Sequence, residues 1–522
     1  MLWLIITVGL ITAWLYHEFV GRRAHCPAGP VPWPFIGNIA TLGNDFPEWA
    51  TSLAKLGKEY NGVFTVFLPN AQVVLTDYRA IKEAFAGANS AFWWLLQSNT
   101  DDIGCLQRGS ATGHRPGGFI LNYFGGSYGL FLPNGHLWRE QRRFVLHVLR
   151  DFGFGRSLME DKIHLDVDRL NAFIESKADP ENPERTQINM DRPLSVCVAS
   201  IIANMVLGKR YDFDDESFNY YRLLNRDLFD LFGGYEFLVL NEYPWTRFLP
   251  FGRRFLDRLK KLFAKFETFF TEQIKAVCKE VENCPDDTPN DLVTAYVQEM
   301  RRRTNKEEPL DTFSHYQLFM SLFDLWSAGF ETTSTTLRWA LLYIAKYQHV
   351  QDAVRRELLD VVGKERPVVT ADRLNLPYTM ATLTEIMRCS SITPFGLQRV
   401  TDRDITVQGH LIKKDTILVM QIDAVLRDAD TFPEPERFWP ERFLNKKDGS
   451  LDTKETEKVI IFGLGKRQCL GESLARMNLL LIFAAIVKNF KITLAPSDTD
   501  PMTPVYYFTR APGQHELILE KV

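Results

Sequence analysis

Three features that mark other protein classes are missing from this sequence: paired cysteines, a strong net charge and a nucleotide-binding fingerprint. The 522 residues include seven cysteines, an odd number without a C-x-x-C pair. This argues against a disulfide framework or a zinc site and fits a reducing compartment. The net charge is only −4, so we expect no nucleic-acid partner. The chain has no nucleotide or flavin motif, so redox chemistry would need electrons from another protein.

Long uncharged runs are also rare, and the clearest one opens the chain. Residues Met1 to Tyr16 carry no charge, and the basic pair ending at Arg23 follows soon after. A cleaved signal peptide gives a similar run, but no basic residue precedes this one and no small-x-small cleavage site follows it. The pattern predicts an uncleaved transmembrane signal-anchor over residues 1–20. Residues 21–38 are then a basic, proline-rich hinge that cannot be helical.

One cysteine lies in a glycine-rich loop directly before a long apolar helical run. Cys469 follows Arg467 by two residues and is flanked by Gly465 and Gly471. A thiolate ahead of a helix N-terminus meets free N–H groups and a positive dipole, which predicts a lowered thiol pKa and suits a metal ligand or a nucleophile. The glycines allow a flat ligand to approach the backbone, and the arginine can pair with an anion on that ligand. Taken alone, such a cysteine is more often buried and inert.

The full run from Phe462 to Gly471 has the pattern F-x-x-G-x-R-x-C-x-G. This pattern resembles the haem-thiolate loop of the cytochrome P-450 superfamily. The resemblance implies that Cys469 is the axial ligand of the iron in haem b (iron protoporphyrin IX). It also implies that Phe462, Gly465 and Arg467 help to bind this cofactor.

A tryptophan and an arginine upstream share one face of a predicted helix. Trp138 and Arg142 are four residues apart, and alone such a pair is more often a cation–π or packing contact. Beside the cysteine loop it resembles the family's propionate-binding helix, and Arg399 matches a position that contacts a haem propionate. The same predicted helix carries a basic series that is either a solvated face or a docking patch for an acidic reductase: Arg139, Arg143, His147 and Arg150.

A second signature interrupts the long apolar helix predicted from Ser321 to Leu342. Glycine and β-branched threonines weaken a helix, and threonine hydroxyls can bond back to earlier carbonyls. In isolation the run from Ala328 to Thr332 is a packing notch, but here it resembles the family's oxygen-activation motif, A-G-x-[DE]-T. The resemblance implies catalytic roles for Thr332, which would hydrogen-bond the bound dioxygen, and for Glu331, which would relay protons.

Two further regions match the family without carrying chemistry. Glu385 and Arg388 are three residues apart on another predicted helix, and such pairs are usually superficial. With Arg442 they resemble the family's structural triad, which implies a supporting role for the Cys469 loop. Residues 87–130 are irregular and rich in aromatics and glycine, and they match the region that covers the substrate pocket.

These signatures follow one another in family order, so the resemblance covers nearly the whole chain and is of the animal microsomal, class-two-like type. It implies the cytochrome P-450 fold, mainly α with a smaller β-rich part, in a single large catalytic domain over residues 39–522. The implied activity is that of a haem-thiolate monooxygenase. Such an enzyme inserts one atom of O2 into a small lipophilic substrate, here a steroid, a fatty acid or a xenobiotic.

The implied partner is an NADPH–cytochrome reductase, with a cytochrome b-type protein as a second donor. The implied location is the endoplasmic reticulum membrane, with the catalytic domain on its cytosolic side. Three alternatives stay open: a haem-thiolate isomerase or dehydratase that acts on a lipid peroxide without reductase, a non-catalytic haem sensor, and an unrelated helical membrane protein with a structural Cys469. The pair Glu331 and Thr332 favours monooxygenation over the first alternative, because peroxide rearrangement needs no proton delivery.

Overall fold

The structure is a computed structural model that describes residues 2–21, 23–43, 46–68, 70–86, 113–119, 123, 126–152, 157–283, 288–497 and 500–522. Most of the stretch predicted to cover the substrate pocket, residues 87–112, lies outside the described residues. The helices are α1 (Leu2–Tyr16), α2 (Ile39–Leu42), α3 (Phe46–Glu59), α4 (Tyr78–Ala86), α5 (Gly135–Asp151), α6 (Ser157–Ser176), α7 (Asp191–Leu207), α8 (Glu216–Gly233), α9 (Tyr235–Glu242), α10 (Pro250–Asn283), α11 (Leu292–Asn305), α12 (His315–Lys346), α13 (Gln348–Val362), α14 (Pro377–Ser390), α15 (Ile422–Leu426), α16 (Thr453–Thr456) and α17 (Glu472–Asn489).

Short strands form a minor part of the fold, as predicted. A four-stranded sheet has the order β1-β2-β7-β4, in which β2 and β7 are parallel and the other pairs antiparallel. A three-stranded antiparallel sheet has the order β3-β11-β8, and two hairpins pair β5 with β6 and β9 with β10. The strands are β1 (Val63–Leu68), β2 (Asn70–Leu75), β3 (Arg185–Ile188), β4 (Arg399–Val400), β5 (Ile405–Val407), β6 (His410–Ile412), β7 (Ile417–Met420), β8 (Phe490–Leu494), β9 (Val505–Tyr506), β10 (Arg510–Ala511) and β11 (Leu517–Lys521).

The segment predicted as a transmembrane anchor forms α1, followed by a short π-helix over His17–Gly21. The α-helix has 15 residues, whereas a comfortable bilayer crossing takes about 20. Within the described ranges, no helix combines the length and the apolar character of a membrane span.

Residues 23–38 of the proline-rich hinge form turns and irregular structure without a helix, and they are also bonded to the catalytic domain. Asn38 is fully buried: its backbone N–H donates to the carbonyl of Phe67 at 2.8 Å, and its side-chain oxygen accepts from the N–H of Phe67 at 2.8 Å. The backbone N–H of Thr65 donates to Ala28 at 3.2 Å. Residues 28–38 therefore pack along β1 instead of hanging free between two parts of the molecule.

Helix α12 runs through the hydrophobic core and packs on α7, α10, α14, α17 and β8. Ser314 caps its N-terminus: the side chain accepts from the N–H of Gln317 at 3.1 Å. Most of its residues from 317 to 345 are buried, which is why the sequence pattern is apolar on nearly all faces. The helix predicted from Ser321 to Leu342 lies inside this element, which is longer by six residues at its N-terminus and by four at its C-terminus.

The predicted triad is a buried charge network. Glu385 accepts from Nε of Arg388 at 2.7 Å and from Nη2 at 2.9 Å, and also from Nε of Arg442 at 3.1 Å. The backbone N–H of Trp439 donates to the same carboxylate at 2.8 Å. Because the Arg388 and Glu385 side chains are 1% and 0% exposed, this pair is not the superficial kind that its spacing alone suggests. Support of the Cys469 loop by this network stays a prediction.

We expect Glu385→Ala to lower the free energy of unfolding by about 3–5 kcal/mol, because it leaves two buried guanidinium groups without a counter-charge. Chemical denaturation followed by circular dichroism measures this change. A matched control is Glu434→Ala, which breaks another i,i+3 pair, to Arg437, whose side chains are 62% and 57% exposed; it should change stability by less than about 1 kcal/mol. Equal effects of the two substitutions would contradict the prediction.

Candidate active site

The loop around Cys469 is a tight, internally bonded structure. The N–H of Cys469 donates to the carbonyl of Phe462 at 2.9 Å, and the N–H of Gln468 donates to Gly465 at 2.9 Å. Residues Gly465–Arg467 form a single 3-10 turn, and α17 begins at Glu472. The sulfur is therefore held three residues before a helix N-terminus, as the sequence predicts.

Gly465 is required by a close approach between two backbones. Its φ angle is +75°, and a Cβ there would lie 2.0 Å from the carbonyl oxygen of Phe85 at the end of α4. Gly463 has a similar φ of +71°, but a Cβ at Gly463 would meet nothing within 4 Å. The two glycines of this loop are thus constrained differently, one by backbone conformation alone and the other by conformation and packing.

The electrostatics of the cysteine differ from the prediction. Cys469 is exposed as a residue, yet the protein atoms packed around its sulfur raise the pKa of the thiol by desolvation. The N–H of Gly471 and the Arg142 guanidinium act in the opposite direction, while the Glu472 carboxylate adds to the rise. The predicted net lowering is therefore wrong for the protein alone. A coordinated metal cation deprotonates a thiol outright, so the ligand role does not depend on that lowering.

A basic cluster lies beside this loop. The guanidinium of Arg467 stacks on the Trp138 ring at 3.7 Å, and that of Arg142 lies 5.8 Å from the same ring. Arg142 Nη2 donates to the carbonyl of Gln468 at 2.8 Å, and Arg399 Nη2 donates to the carbonyl of Arg467 at 3.3 Å. The structure therefore brings together four residues that were predicted from separate segments.

Arg115 joins this cluster, and sequence reasoning missed it. Its Nη1 donates to the carbonyl of Gln398 at 3.1 Å, one residue before Arg399. It comes there because the neighbouring residue His114 forms a β-bridge with Val400. The segment of residues 113–119 is mostly irregular, so no periodicity pointed to it; the only signal in the sequence was an arginine in a glycine-rich stretch.

Several donors in the basic cluster are buried without a partner among the described residues. They are Nε1 of Trp138, Nε of Arg399 and Nη1 of Arg467. Among the described residues, no carboxylate lies within ion-pair distance of the four arginines of the cluster, Arg115, Arg142, Arg399 and Arg467. Burial lowers the pKa of Arg399 to about 10 and, together with repulsion from Arg399 and Arg142, that of Arg467 to about 9. Buried, mutually repelling cations with unused donors call for an anionic ligand such as a carboxylate.

The predicted oxygen-activation motif lies in an opening along α12. Ala328 is exposed, and Gly329, Glu331 and Thr332 are partly exposed, although the residues on both sides along the helix are buried. The hydroxyl of Thr332 donates to the carbonyl of Ala328 at 2.8 Å, the back-bonding that the sequence suggests. A solvent-accessible strip in the middle of a core helix marks an internal gap beside this motif.

The structure thus forms two groups of predicted residues. Cys469, Phe462, Gly465, Arg467, Trp138, Arg142 and Arg399 belong to one. Glu331 and Thr332 belong to the other, and within the described residues they make no hydrogen bond to the cysteine loop. The two groups are linked through the packing of α12 against α17.

Known proteins can be aligned with this chain over almost its full length. The family model described as Cytochrome P450 matches residues 105–518. The chain belongs to the cytochrome P450 family. It is 33% identical to Cytochrome P450 2K6 of Danio rerio, an alignment that covers 94% of this chain and 90% of the relative. It is 32% identical to Cytochrome P450 2D10 of Mus musculus, covering 96% and 94%, and 31% identical to Cytochrome P450 2E1 of Rattus norvegicus, covering 94% and 92%.

Family membership makes the chain a cytochrome P450 monooxygenase with a haem b cofactor, which uses O2 and electrons derived from NADPH. The residues present fit this cofactor. A haem offers two carboxylates to the unpartnered donors and an iron to the Cys469 sulfur, and the cytochrome P450 iron is held by a cysteine thiolate. The mainly helical architecture with small sheets is also that of the family.

We expect Gly465→Ala to abolish most haem incorporation, because the new methyl group must displace either the cysteine loop or the end of α4. The haem content per protein chain, read from the absorbance of the reduced carbon monoxide complex, measures this. Gly463→Ala is the matched control: it has the same left-handed strain, about 1 kcal/mol, but open space around the new methyl group. Full haem content in Gly465→Ala would show that the Phe85 contact does not shape the loop.

Proposed function

We propose that this cytochrome P450 oxidises a small lipophilic substrate at a haem ligated by Cys469, with electrons that a flavoprotein reductase delivers from NADPH. The observation that carries the proposal is the set of buried, unpartnered donors on Trp138, Arg399 and Arg467 beside the cysteine loop. These donors suit the two propionates of a haem whose iron faces the Cys469 sulfur. When bound, the haem supplies an iron whose thiolate ligand favours cleavage of the O–O bond.

The basic cluster would bind the haem propionates and stabilise the Cys469 thiolate. Arg467, Arg399 and Arg142 neutralise the propionates, and Trp138 donates its indole N–H to one of them. Arg115 supplies a further cation from the loop that pairs with β4. Gly465 and Phe462 shape the loop so that the backbone approaches the ligand plane, and Arg142 also stabilises the Cys469 thiolate.

Glu331 and Thr332 serve proton delivery. The pKa of Glu331 is raised, chiefly by burial and also by the nearby Asp191 carboxylate. A larger fraction of this carboxyl is therefore protonated near neutral pH than of an exposed glutamate. The hydroxyl of Thr332 donates to the carbonyl of Ala328 in the same helix. We assign Glu331 as the proton source. Thr332 is the hydroxyl that would hydrogen-bond the dioxygen and pass the proton on to it.

The electron donor is proposed to dock on the exposed face of α5. Its basic side chains recur at helical spacing and are all exposed: Arg139, Arg143, His147 and Arg150. Because Arg142 and Trp138 of the same helix lie in the basic cluster, a partner on this face would be close to the cofactor. A positive docking face predicts association that weakens with ionic strength.

A lipophilic substrate and a membrane location complete the proposal. Similarity to the animal cytochromes P450 named above supports a lipophilic substrate. The uncharged α1 supports attachment to the endoplasmic reticulum membrane through residues 1–20, with the catalytic domain on the cytosolic side. Recovery of full-length protein in carbonate-washed membranes checks this part.

The proposal is tested by product analysis of the purified protein with NADPH, a reductase and a panel of steroids, fatty acids and xenobiotics. We expect an oxygenated product that carries isotope from labelled O2 and whose rate falls as salt rises. Product formed from a lipid peroxide without NADPH would instead favour the isomerase or dehydratase alternative. Spectral titration beforehand selects the panel members that bind.

We expect Thr332→Ala to lower the product formed per NADPH by about tenfold or more and to release hydrogen peroxide, because general acid catalysis is lost. Product and peroxide are quantified against NADPH consumption. Thr332→Ser, which retains the hydroxyl, should preserve coupling. Thr336→Ala is the matched control, since Thr336 makes the equivalent bond to the carbonyl of Thr332 at 2.8 Å; equal uncoupling in that variant would remove the assigned role.

A further inference from the structure

A partly buried charge cluster joins the start of α7 to two other helices. Asp191, the first residue of α7, pairs through Oδ2 with Arg222 at 3.3 Å and with Arg226 at 3.5 Å, both on α8. Its other oxygen, Oδ1, pairs with Arg338 of α12 at 3.1 Å. One carboxylate thus binds three guanidinium groups that come from two different helices.

The same three arginines act on Glu331. Arg338 lies two turns after Glu331 on α12, and the charges of Arg338, Arg226 and Arg222 all favour the ionised carboxylate, against burial and the negative charge of Asp191. Yet within the described residues Glu331 has no ion-pair partner. Its one side-chain contact is the Thr335 hydroxyl, which donates to it at 3.4 Å.

We propose that Asp191 is a positioning residue: by binding Arg222, Arg226 and Arg338, it prevents them from pairing with Glu331 and so keeps that carboxyl able to hold a proton. This inference rests on the proposed role of Glu331 in proton delivery. The ion pairs of Asp191 support it: they hold Arg338, which lies two turns after Glu331 on the same helix, together with Arg222 and Arg226 of α8. An ionised Glu331 in a closed ion pair would be a poor proton donor.

The other groups around the cluster hold the arginines without supplying negative charge. Arg226 Nη2 donates to the Tyr507 hydroxyl at 3.4 Å, and Arg338 Nη2 donates to the carbonyl of Pro512 at 3.5 Å. His515, a nearby titratable group, bonds to the carbonyl of Gly513 at 2.7 Å, and its pKa is lowered, chiefly by burial. Among the residues with described positions that face Glu331, Asp191 is therefore the acidic group that can compete for these arginines.

The test follows the protonation of Glu331 directly, in the full-length ferric haem protein. Infrared difference spectroscopy detects the carbonyl stretch of a protonated carboxyl, and loss of a band in Glu331→Gln assigns it. The band is titrated between about pH 5 and pH 9. In Asp191→Asn we expect its midpoint to move to lower pH, because both the lost negative charge and the released arginines favour the carboxylate. Asp191→Glu should restore the midpoint.

Asp423→Asn is the matched control. Asp423 is 16% exposed against 17% for Asp191, and it also binds two arginines, Arg427 at 3.0 Å and Arg510 at 3.2 Å. It should leave the Glu331 band unmoved. If Asp191→Asn does not fold, Arg226→Gln replaces it and should move the midpoint to higher pH.

A Glu331 midpoint that stays in place in the folded Asp191→Asn or Arg226→Gln protein overturns the proposal. Product per NADPH is measured on the same variants as a separate readout. A shifted midpoint with unchanged coupling would uphold the action of Asp191 on Glu331 while refuting the proposed role of Glu331 in proton delivery, so the two failures are distinguishable.

Discussion

The site depends on an electrostatic imbalance that the protein does not relieve by itself. Arg467, Arg399 and Arg142 are gathered against Trp138, and each has its pKa lowered, chiefly by burial. Such an arrangement is unfavourable unless an anion completes it. The surrounding contacts, such as Arg467 bonding to the carbonyl of Gly113 at 2.8 Å, hold the cations in place for that anion. The cations are therefore arranged before the anion binds, and the bound anion would offset the repulsion among them.

The arginines near Glu331 are arranged differently, because the protein supplies an anion for them. Asp191 pairs with these arginines, and the Glu331 carboxyl is left without an ion pair. The basic cluster beside the Cys469 loop has arginines without an anionic partner in the protein. In the Asp191 cluster, the arginines are paired with Asp191 and not with Glu331. The second arrangement depends on the relative positions of α7, α8 and α12, because Asp191 and its three arginines come from these helices.

Much of this could be predicted from sequence wherever the relevant residues are close in the chain. Trp138 and Arg142 share a helix face, the Cys469 loop is a contiguous motif, and Ser321 to Leu342 has an unmistakable apolar pattern. Arg115 and Asp191 were missed because their roles depend on contacts with residues that lie between 31 and 283 positions away in the chain. The raised thiol pKa of Cys469 was missed for a related reason: helix position is local, whereas desolvation depends on what packs around the sulfur.

The clamp between Asn38 and Phe67 limits how the domain can be oriented by its N-terminal segment. A proline-rich segment that is hydrogen-bonded along β1 does not act as a freely flexible linker. Rotation is confined to the few residues before Gly29, where Arg23 Nη2 already donates to the Gly29 carbonyl at 2.9 Å. A short connection that is bonded in this way restricts how far the catalytic domain can turn relative to α1.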